Sequence, residues 1–416
     1  AVALSLLALH GPLLVAMPSG LETAVNAALI GLLLLTTHGA RRRNQRLTLA
    51  GSAALVCRPE NGLVVGIHGL YLWFARRRER RALVFTAAAW LATMAALTII
   101  RYAYYGSLVS NTSVSKLARP LEFVGPALMY LRIWATESWH LVLALGVGLT
   151  LRGSRRFSTN ALVLATGQAA FVLISGGDWM PGLRFMLPAS IVAMLTAGEF
   201  AHQLGRIARA RRRRARRENT GEMLAAWRRA RFATFVCAAL IGGATIHEAA
   251  AIRPLRWSLS NYERTLAAID AGPAAYLKNA VQPDDIVAAR DIGILGYRLE
   301  CRILDLVGLT DAHIARTSGL RHRDRLDLDY VYSHRPRFIL IQSEKSESGD
   351  AEPCRLGRVL LADARFQAYE RRGRWTLPGR QYCELYELCE NPVVRAADAS
   401  TEPARRAAVT LGAGEE

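Results

Sequence analysis

The chain has 416 residues, 51% of them hydrophobic and 21% charged, with 53 Lys+Arg against 34 Asp+Glu and a formal net charge of +19. This length allows two or more domains, and the composition excludes a disordered polymer, a collagen-like repeat and a small disulfide scaffold. Residues 1–252 hold 29 Lys+Arg and 10 Asp+Glu, whereas residues 253–416 hold 24 of each. The whole excess sits in the half that is also very apolar, which is the pattern of a membrane protein rather than of a nucleic-acid binder.

In chain order, the apolar runs 1–21, 23–40, 82–100, 161–177 and 232–247 are predicted to be spans. A hydrocarbon core of ~30 Å needs about 20 helical residues. Shorter apolar stretches lie at 47–57, 61–75, 138–151 and 185–198. The pair 47–57 and 61–75 is too short for two full straight spans. It reads as a hairpin whose turn, Cys57 to Gly62, lies at depth or near the outer surface. Arginine clusters fall at 41–46, 76–81, 152–156 and 206–231, the last with eleven arginines. With 23–40 running inward and 47–75 a hairpin, every cluster falls on one face, which the positive-inside rule makes cytoplasmic. The 206–231 run then reads as an inside connector against anionic headgroups. Segments 10–22, 105–138, 176–184 and everything after about 252 are placed outside. The sequence begins within an apolar run, without a charged n-region or cleavage site, and reads as lacking its natural beginning.

The second half is predicted to be a small α/β domain over 253–390. Helical spacing covers 261–281, and short strands are read at 284–291, 301–309 and 335–343. Thr310 is the predicted N-cap of a helix through 317. A helix running into a strand is read at 358–373, a further strand at 381–389, and a disordered tail at 391–416. The fold class is thus a polytopic α-helical membrane domain over 1–252 followed by a soluble extracytoplasmic α/β domain. Cys57 and Cys237 lie in apolar runs, whereas an oxidising exterior would allow two disulfides among Cys301, Cys354, Cys383 and Cys389.

Ionisable residues near a membrane's outer face are costly and therefore informative. Gly176 to Arg184 is the sharpest local feature: two glycines end an apolar helix, then Asp178, Trp179 and Arg184 follow. Such a turn can hold a sugar hydroxyl on Asp178, stack a ring on Trp179 and pair a phosphate with Arg184. An interfacial turn braced by an Asp–Arg pair and anchored by Trp179 is an equal alternative. Arg58-Pro59-Glu60 reads as either a buried pair bracing the hairpin or a phosphate-binding Arg58. Asn111 and Lys116 share an outside loop. In the soluble half, Asp305, Asp311 and His313 lie near a strand end.

Taken together, these segments resemble one family. Ser19-Gly20-Leu21-Glu22-Thr23 looks like its SG(L/M)ET segment, and Arg58-Pro59-Glu60-Asn61-Gly62 like its RPEG turn with Asn inserted. Tyr104-Tyr105-Gly106 through Asn111-Thr112 to Lys116 looks like its YYG…PNT…K loop, with Ser110 in place of Pro. Residues 176–188 look like its GGD(F/W)M…R(F/L)…P segment. Asp291-Ile292-Gly293 and the 305–311 run look like its DIG and D(L/V)xGLxD motifs. The family is the C-type (GT-C) polytopic membrane glycosyltransferases, similar to the mycobacterial terminal arabinofuranosyltransferases.

The resemblance implies transfer of a sugar, arabinofuranose among the candidates, from a polyprenyl-phosphate donor to an envelope glycan on the outer face of the bacterial inner membrane. It implies Asp178 and Glu22 as catalytic carboxylates and Arg58, Lys116 and Arg184 as donor-phosphate ligands. Glu60, Asn111 and Trp179 are implied as substrate contacts. The family's acidic loop, which carries its general base, would precede residue 1. No metal-ligand cluster is visible, although some C-type transferases use a divalent cation. Expected partners are the lipid-linked donor, the glycan acceptor and membrane lipid, with no nucleic acid. A transporter or flippase, and a non-catalytic glycan-binding envelope protein, stand as alternatives.

Overall fold

The computed structural model describes residues 2–16, 22–37, 42–111, 113–114, 120–178, 180, 182–218, 222–317, 326–345, 351–379 and 381–389. The chain divides into two compact units, residues 1–110 with 116–259, and residues 111–115 with 260–416. The first is helical and the second is α/β.

The apolar run 1–21 is not one span. It forms α1 (Val2–Leu9) and α2 (Gly11–Ala16), separated at His10. Pro12 has no N–H to bond back to Ala8, so the helical ladder is interrupted there. Helix α3 (Thr23–Thr36) stops where the Thr36 and Thr37 hydroxyls turn back onto the carbonyls of Leu33 and Leu34, at 2.7 and 2.6 Å. The hairpin consists of α4 (Arg43–Cys57) and α5 (Asn61–Ala75). Its turn is closed by bonds from Asn61 N to Arg58 O and from Gly62 N to Pro59 O.

Helix α6 (Arg80–Tyr105) runs parallel to α4, with Thr48 bonded to Thr86 at 2.9 Å and Thr93 to Ser52 at 3.1 Å. The Trp90 indole N–H donates to Thr48 O at 3.1 Å. Interhelical polar bonds of this kind hold helices together where lipid removes the hydrophobic drive between them. Helix α7 (Pro120–Glu137) occupies a stretch predicted to be an outside loop. Ala127, Tyr130 and Trp134 bury one face of it, at the 3–4 residue spacing of a helix, while Leu128 and Met129 remain exposed. Pro120, Pro126 and the charges of Glu122 and Arg132 mask that periodicity in the sequence.

Helices α8 (Trp139–Val147), α9 (Arg155–Ser175) and α10 (Leu187–Glu218) follow. The 185–198 stretch therefore continues through the following arginines as one helix. The predicted span 232–247 lies inside a 48-residue helix, α11 (Glu222–Ile269). Among the described residues, three helical segments are long and apolar enough to cross a membrane: Arg77–Tyr105, Arg155–Ser175 and Arg184–Ala210. Arg43 pairs with Glu79, which also lies 3.9 Å from Arg76, and Gly153 sits against Gln203, just before Arg206. These contacts bring 41–46 beside 76–81, and 152–156 beside the residues just before Arg206.

Among its described residues the α/β unit has six strands, β1 (Ile286–Ala289), β2 (Arg302–Asp305), β3 (Phe338–Lys345), β4 (Ala351–Pro353), β5 (Tyr369–Leu377) and β6 (Gln381–Leu388). Their order is β2-β1-β3-β6-β5, with β4 pairing to β3 off that path. Strands β2, β1 and β3 are parallel, and the remaining pairs are antiparallel. Because side chains alternate across a sheet, Val287, Ala289, Phe338 and Leu340 face one core, and Ala288, Ile339 and Ile341 face the other.

The helices α12 (Ala275–Ala280), α13 (Ile292–Arg298), α14 (Ala312–Arg316), α15 (Leu328–Ser333), α16 (Arg355–Ala362) and the end of α11 accompany the sheet. Edge strand β5 carries Arg371, Arg372 and Arg374, which pair with Glu384 and Glu387 of β6, and its register shifts between Arg371 and Gly373. Cys301, Cys354 and Cys383 are free thiols, so the expected pair of disulfides is not formed. The tail 391–416 lies outside the described residues.

Candidate functional site

Five residues singled out in the sequence meet at one place in the helical unit. Arg58 caps α4 in an extended conformation, 2.6 Å from the Glu60 carboxylate and 3.6 Å from that of Glu22, at the foot of α3. Helix α9 ends at Ser175, and Gly176 and Gly177 then take φ of 79° and 85°. A Cβ on Gly177 would lie 3.0 Å from the Tyr130 ring, so this turn requires glycine both for its backbone and for its neighbour. The turn brings Asp178 back onto Arg184, whose Nε and Nη2 both reach the carboxylate, the latter at 3.3 Å.

Phe185 joins the two pairs. The guanidinium carbons of Arg58 and Arg184 each lie 5.4 Å from its ring centroid, within cation–π range. Its backbone is held on both sides: its N–H donates to the Tyr130 hydroxyl at 3.1 Å, and its carbonyl accepts from Gln168 at 2.6 Å. Asn61 ties the hairpin turn to α3 through Asn26 at 2.6 Å and to Ala54 O at 2.7 Å. Phe185, Tyr130 and Gln168 were not singled out in the sequence. Only the adjacency of Phe185 to Arg184 hinted at any of them.

The three carboxylates differ in access. The Asp178 side chain is 1% exposed, that of Glu60 35% and that of Glu22 47%. Asp178 is thus closed onto Arg184, while Glu22 is open to an incoming group. The turn at Gly62 lies against Met94 of α6, and α6 continues from there to Tyr105. That continuation rises about 16 Å at 1.5 Å per residue. Relative to the end of α6, the cluster is recessed. Two guanidiniums, three carboxylates and an aromatic ring at one place have the chemistry to hold a phosphorylated polar group and to accept a proton from a hydroxyl.

Lys116 and Trp179 lie outside the described residues. Asn111 belongs to the α/β unit, where its amide lies 3.4 Å from Thr310 O and its carbonyl accepts from Arg316 at 3.4 Å. There it meets the loop after β2. Asp305 is fully buried and accepts from Val307 N at 2.9 Å, Thr310 N at 2.7 Å and the Thr310 hydroxyl at 3.2 Å. Thr310 is therefore held by Asp305, and the N-cap of α14 is Asp311, one residue beyond the predicted cap, which accepts from His313 N and Ile314 N. The Tyr330 hydroxyl donates to Asp311 at 2.9 Å, and the ring stacks on His313 at 3.9 Å. Backbone donation from Tyr330, aided by His313 at 2.8 Å, holds the Asp327 carboxyl below its usual range. Among the described residues, no group of three His, Cys, Asp or Glu side chains is arranged to hold a metal ion.

The profile of a family described as a domain of unknown function (DUF8728) matches residues 250–396. No curated protein and no solved structure matches the chain.

Proposed function

We propose that the protein is a C-type membrane glycosyltransferase that moves a sugar from a polyprenyl-phosphate donor to a cell-envelope glycan at the outer face of the bacterial inner membrane. The observation that supports this reading is the recessed cluster in which Arg58 and Arg184 share the Phe185 ring, with Glu22, Glu60 and Asp178 around them. A lipid-linked donor carries its phosphate at the headgroup plane and its tail in the bilayer. Cations at the end of a helical unit suit that phosphate, and carboxylates beside them suit a hydroxyl acceptor.

In this reading the acceptor hydroxyl attacks the anomeric carbon and the bond from that carbon to the phosphate oxygen breaks. Polyprenyl phosphate leaves with the electron pair, and a carboxylate takes the hydroxyl proton. Arg58 and Arg184 stabilise the leaving phosphate, with Lys116 assigned the same task. Glu22, the most open of the three carboxylates, is assigned to the acceptor hydroxyl in a supporting acid/base role. Asp178 is a positioning residue that holds Arg184, and Glu60 does the same for Arg58. Asn111 and Trp179 are assigned to the sugars.

The test is a transfer assay on the full-length membrane protein with polyprenyl-phosphoryl sugars. Asp178→Ala and Arg184→Ala are expected to abolish transfer while the protein still inserts, and Arg58→Lys is expected to raise KM for the donor more than it lowers kcat. Wild-type rates from both alanine variants would overturn the assigned roles. Uptake in proteoliposomes without transfer would favour a transporter.

A further inference from the structure

The Asp291-Ile292-Gly293 motif has no part in the proposed transfer, and the topology of the α/β unit gives it a distinct position. Strands β1 and β3 are parallel neighbours, with Ala289 beside Leu340. The chain leaving β1 enters α13, whose Leu295 and Leu299 lie in one core with Val287 and Phe338. The chain leaving β3 passes through β4 into α16, whose Leu356 and Leu360 lie in the other core with Ala288 and Ile341. The segments leaving the carboxyl ends of β1 and β3 therefore diverge to opposite faces of the sheet. Such a switch point opens a crevice, and it is where open α/β sheets receive their ligands.

Two side chains meet at that crevice. Asp291 follows β1, Gln342 continues β3 past the end of β1, and the Gln342 amide donates to the Asp291 carboxylate. Asp291 is exposed and Gln342 half-buried, so an incoming molecule can reach both. Beneath them the backbone is already bonded: Cys354 N donates to Gln342 O at 3.0 Å, and β4 takes the edge of β3 from Ser343 onward. The pair keeps acceptor capacity on the carboxylate and on Gln342 Oε1, and a donor in the second amide N–H. Hydroxyl groups, which both donate and accept, complement that set. Among the described residues no cation pairs with Asp291, so a phosphate brought here would meet an uncompensated like charge.

The helix that follows supplies an aromatic surface. Tyr297 of α13 is 84% exposed. Gly293 and Gly296 precede it by four and three residues, and a Cβ on either would meet nothing within 4 Å. Helical side chains tilt toward the N-terminus, so the space over which Tyr297 leans carries no other side chain from its own helix. Tyr297 lies six residues beyond Asp291, about 9 Å along the helix, within reach of one disaccharide. From this arrangement we infer that the β1–β3 crevice is a binding site for a neutral sugar. Asp291 and Gln342 hold its hydroxyls, and the Tyr297 ring packs on an apolar sugar face. The inference uses none of the residues assigned to transfer and does not depend on that reaction.

The experiment uses the full chain in a detergent without a sugar headgroup and reads saturation-transfer NMR from cellobiose, lactose, mannobiose and trehalose. Wild type is expected to saturate at least one of these disaccharides. Asp291→Ala and Tyr297→Ala are each expected to weaken that binding about tenfold, the loss of one contact. Absence of binding by all four disaccharides, or binding unchanged in both variants, would overturn the inference. If Asp291→Ala does not fold, Tyr297→Ala, at an exposed position, decides alone, and unaltered binding in it overturns the site. Because the measurement reads binding without transfer, its failure and a failure of the transfer assay are separate results.

Discussion

Asp305 offers a direct measure of what one buried carboxylate does for the loop that carries Thr310 and Asp311 and that Asn111 meets. Asp305→Asn preserves its volume. The amide oxygen can still accept from Val307 N, but the amide nitrogen then faces the Thr310 backbone N–H, which stands 2.7 Å from the present oxygen. The Thr310 hydroxyl, at 3.2 Å, can turn and accept from that nitrogen, whereas the backbone N–H cannot reverse. One charge-assisted bond is lost and one donor is orphaned, which costs about 2–4 kcal/mol. At ~1.36 kcal/mol per decade, amide protection of the loop should fall by about 30- to 900-fold. Hydrogen–deuterium exchange at the Leu306 amide, which is bonded to Ala289 O, reports the opening. Asp363→Asn, the same chemical change at the start of a different turn, should leave Leu306 unaffected. Leu306 protection within threefold of wild type in Asp305→Asn would refute the claim that this carboxylate organises the loop.

Acid should loosen the junction of α14 and α15, because Asp327 is held below its ordinary range. Its contribution is complete above the unfolded carboxylate pKa and is lost as pH falls through the folded one. Asp327→Asn should remove that acid dependence of Tyr330 amide exchange, and persistence of the same profile would exclude Asp327 as its source. Cys301 and Cys354, half-buried thiols, should take up a maleimide in the native protein without reductant. Cys383, buried and with its thiol pushed up to about 12, should react only after unfolding, as mass spectrometry of the labelled chain will read.

The sequence made the hairpin readable because Arg58-Pro59-Glu60 interrupts two apolar runs too short to span separately. The strands were readable from short continuous apolar runs such as 338–341, whose alternate residues enter different cores. Helix α7 was not, since prolines and charges hide a narrow buried stripe. The break at His10 was concealed by continuous apolarity, although Pro12 marks it. The N-cap was displaced from Thr310 to Asp311 because the buried carboxylate of Asp305, five residues upstream at the end of β2, claims the threonine. In the recessed cluster, six residues of spacing bring Asp178 to Arg184, but the approach of Glu22 to Arg58 depends on α3 packing beside the hairpin. The shared ring of Phe185 depends on Tyr130 and Gln168, from two other helices. Such convergence leaves no mark in the spacing of any one segment.

The arginines of β5 bear on how this protein behaves at high local concentration. An edge strand offers unpaired backbone groups to any neighbouring chain. Here the arginines of the edge are held in ion pairs with Glu384 and Glu387 of β6 and the register shifts between Arg371 and Gly373, so a second copy approaching edge to edge meets a broken ladder. The same strand that completes the fold thereby keeps neighbouring molecules from knitting into continuous sheets.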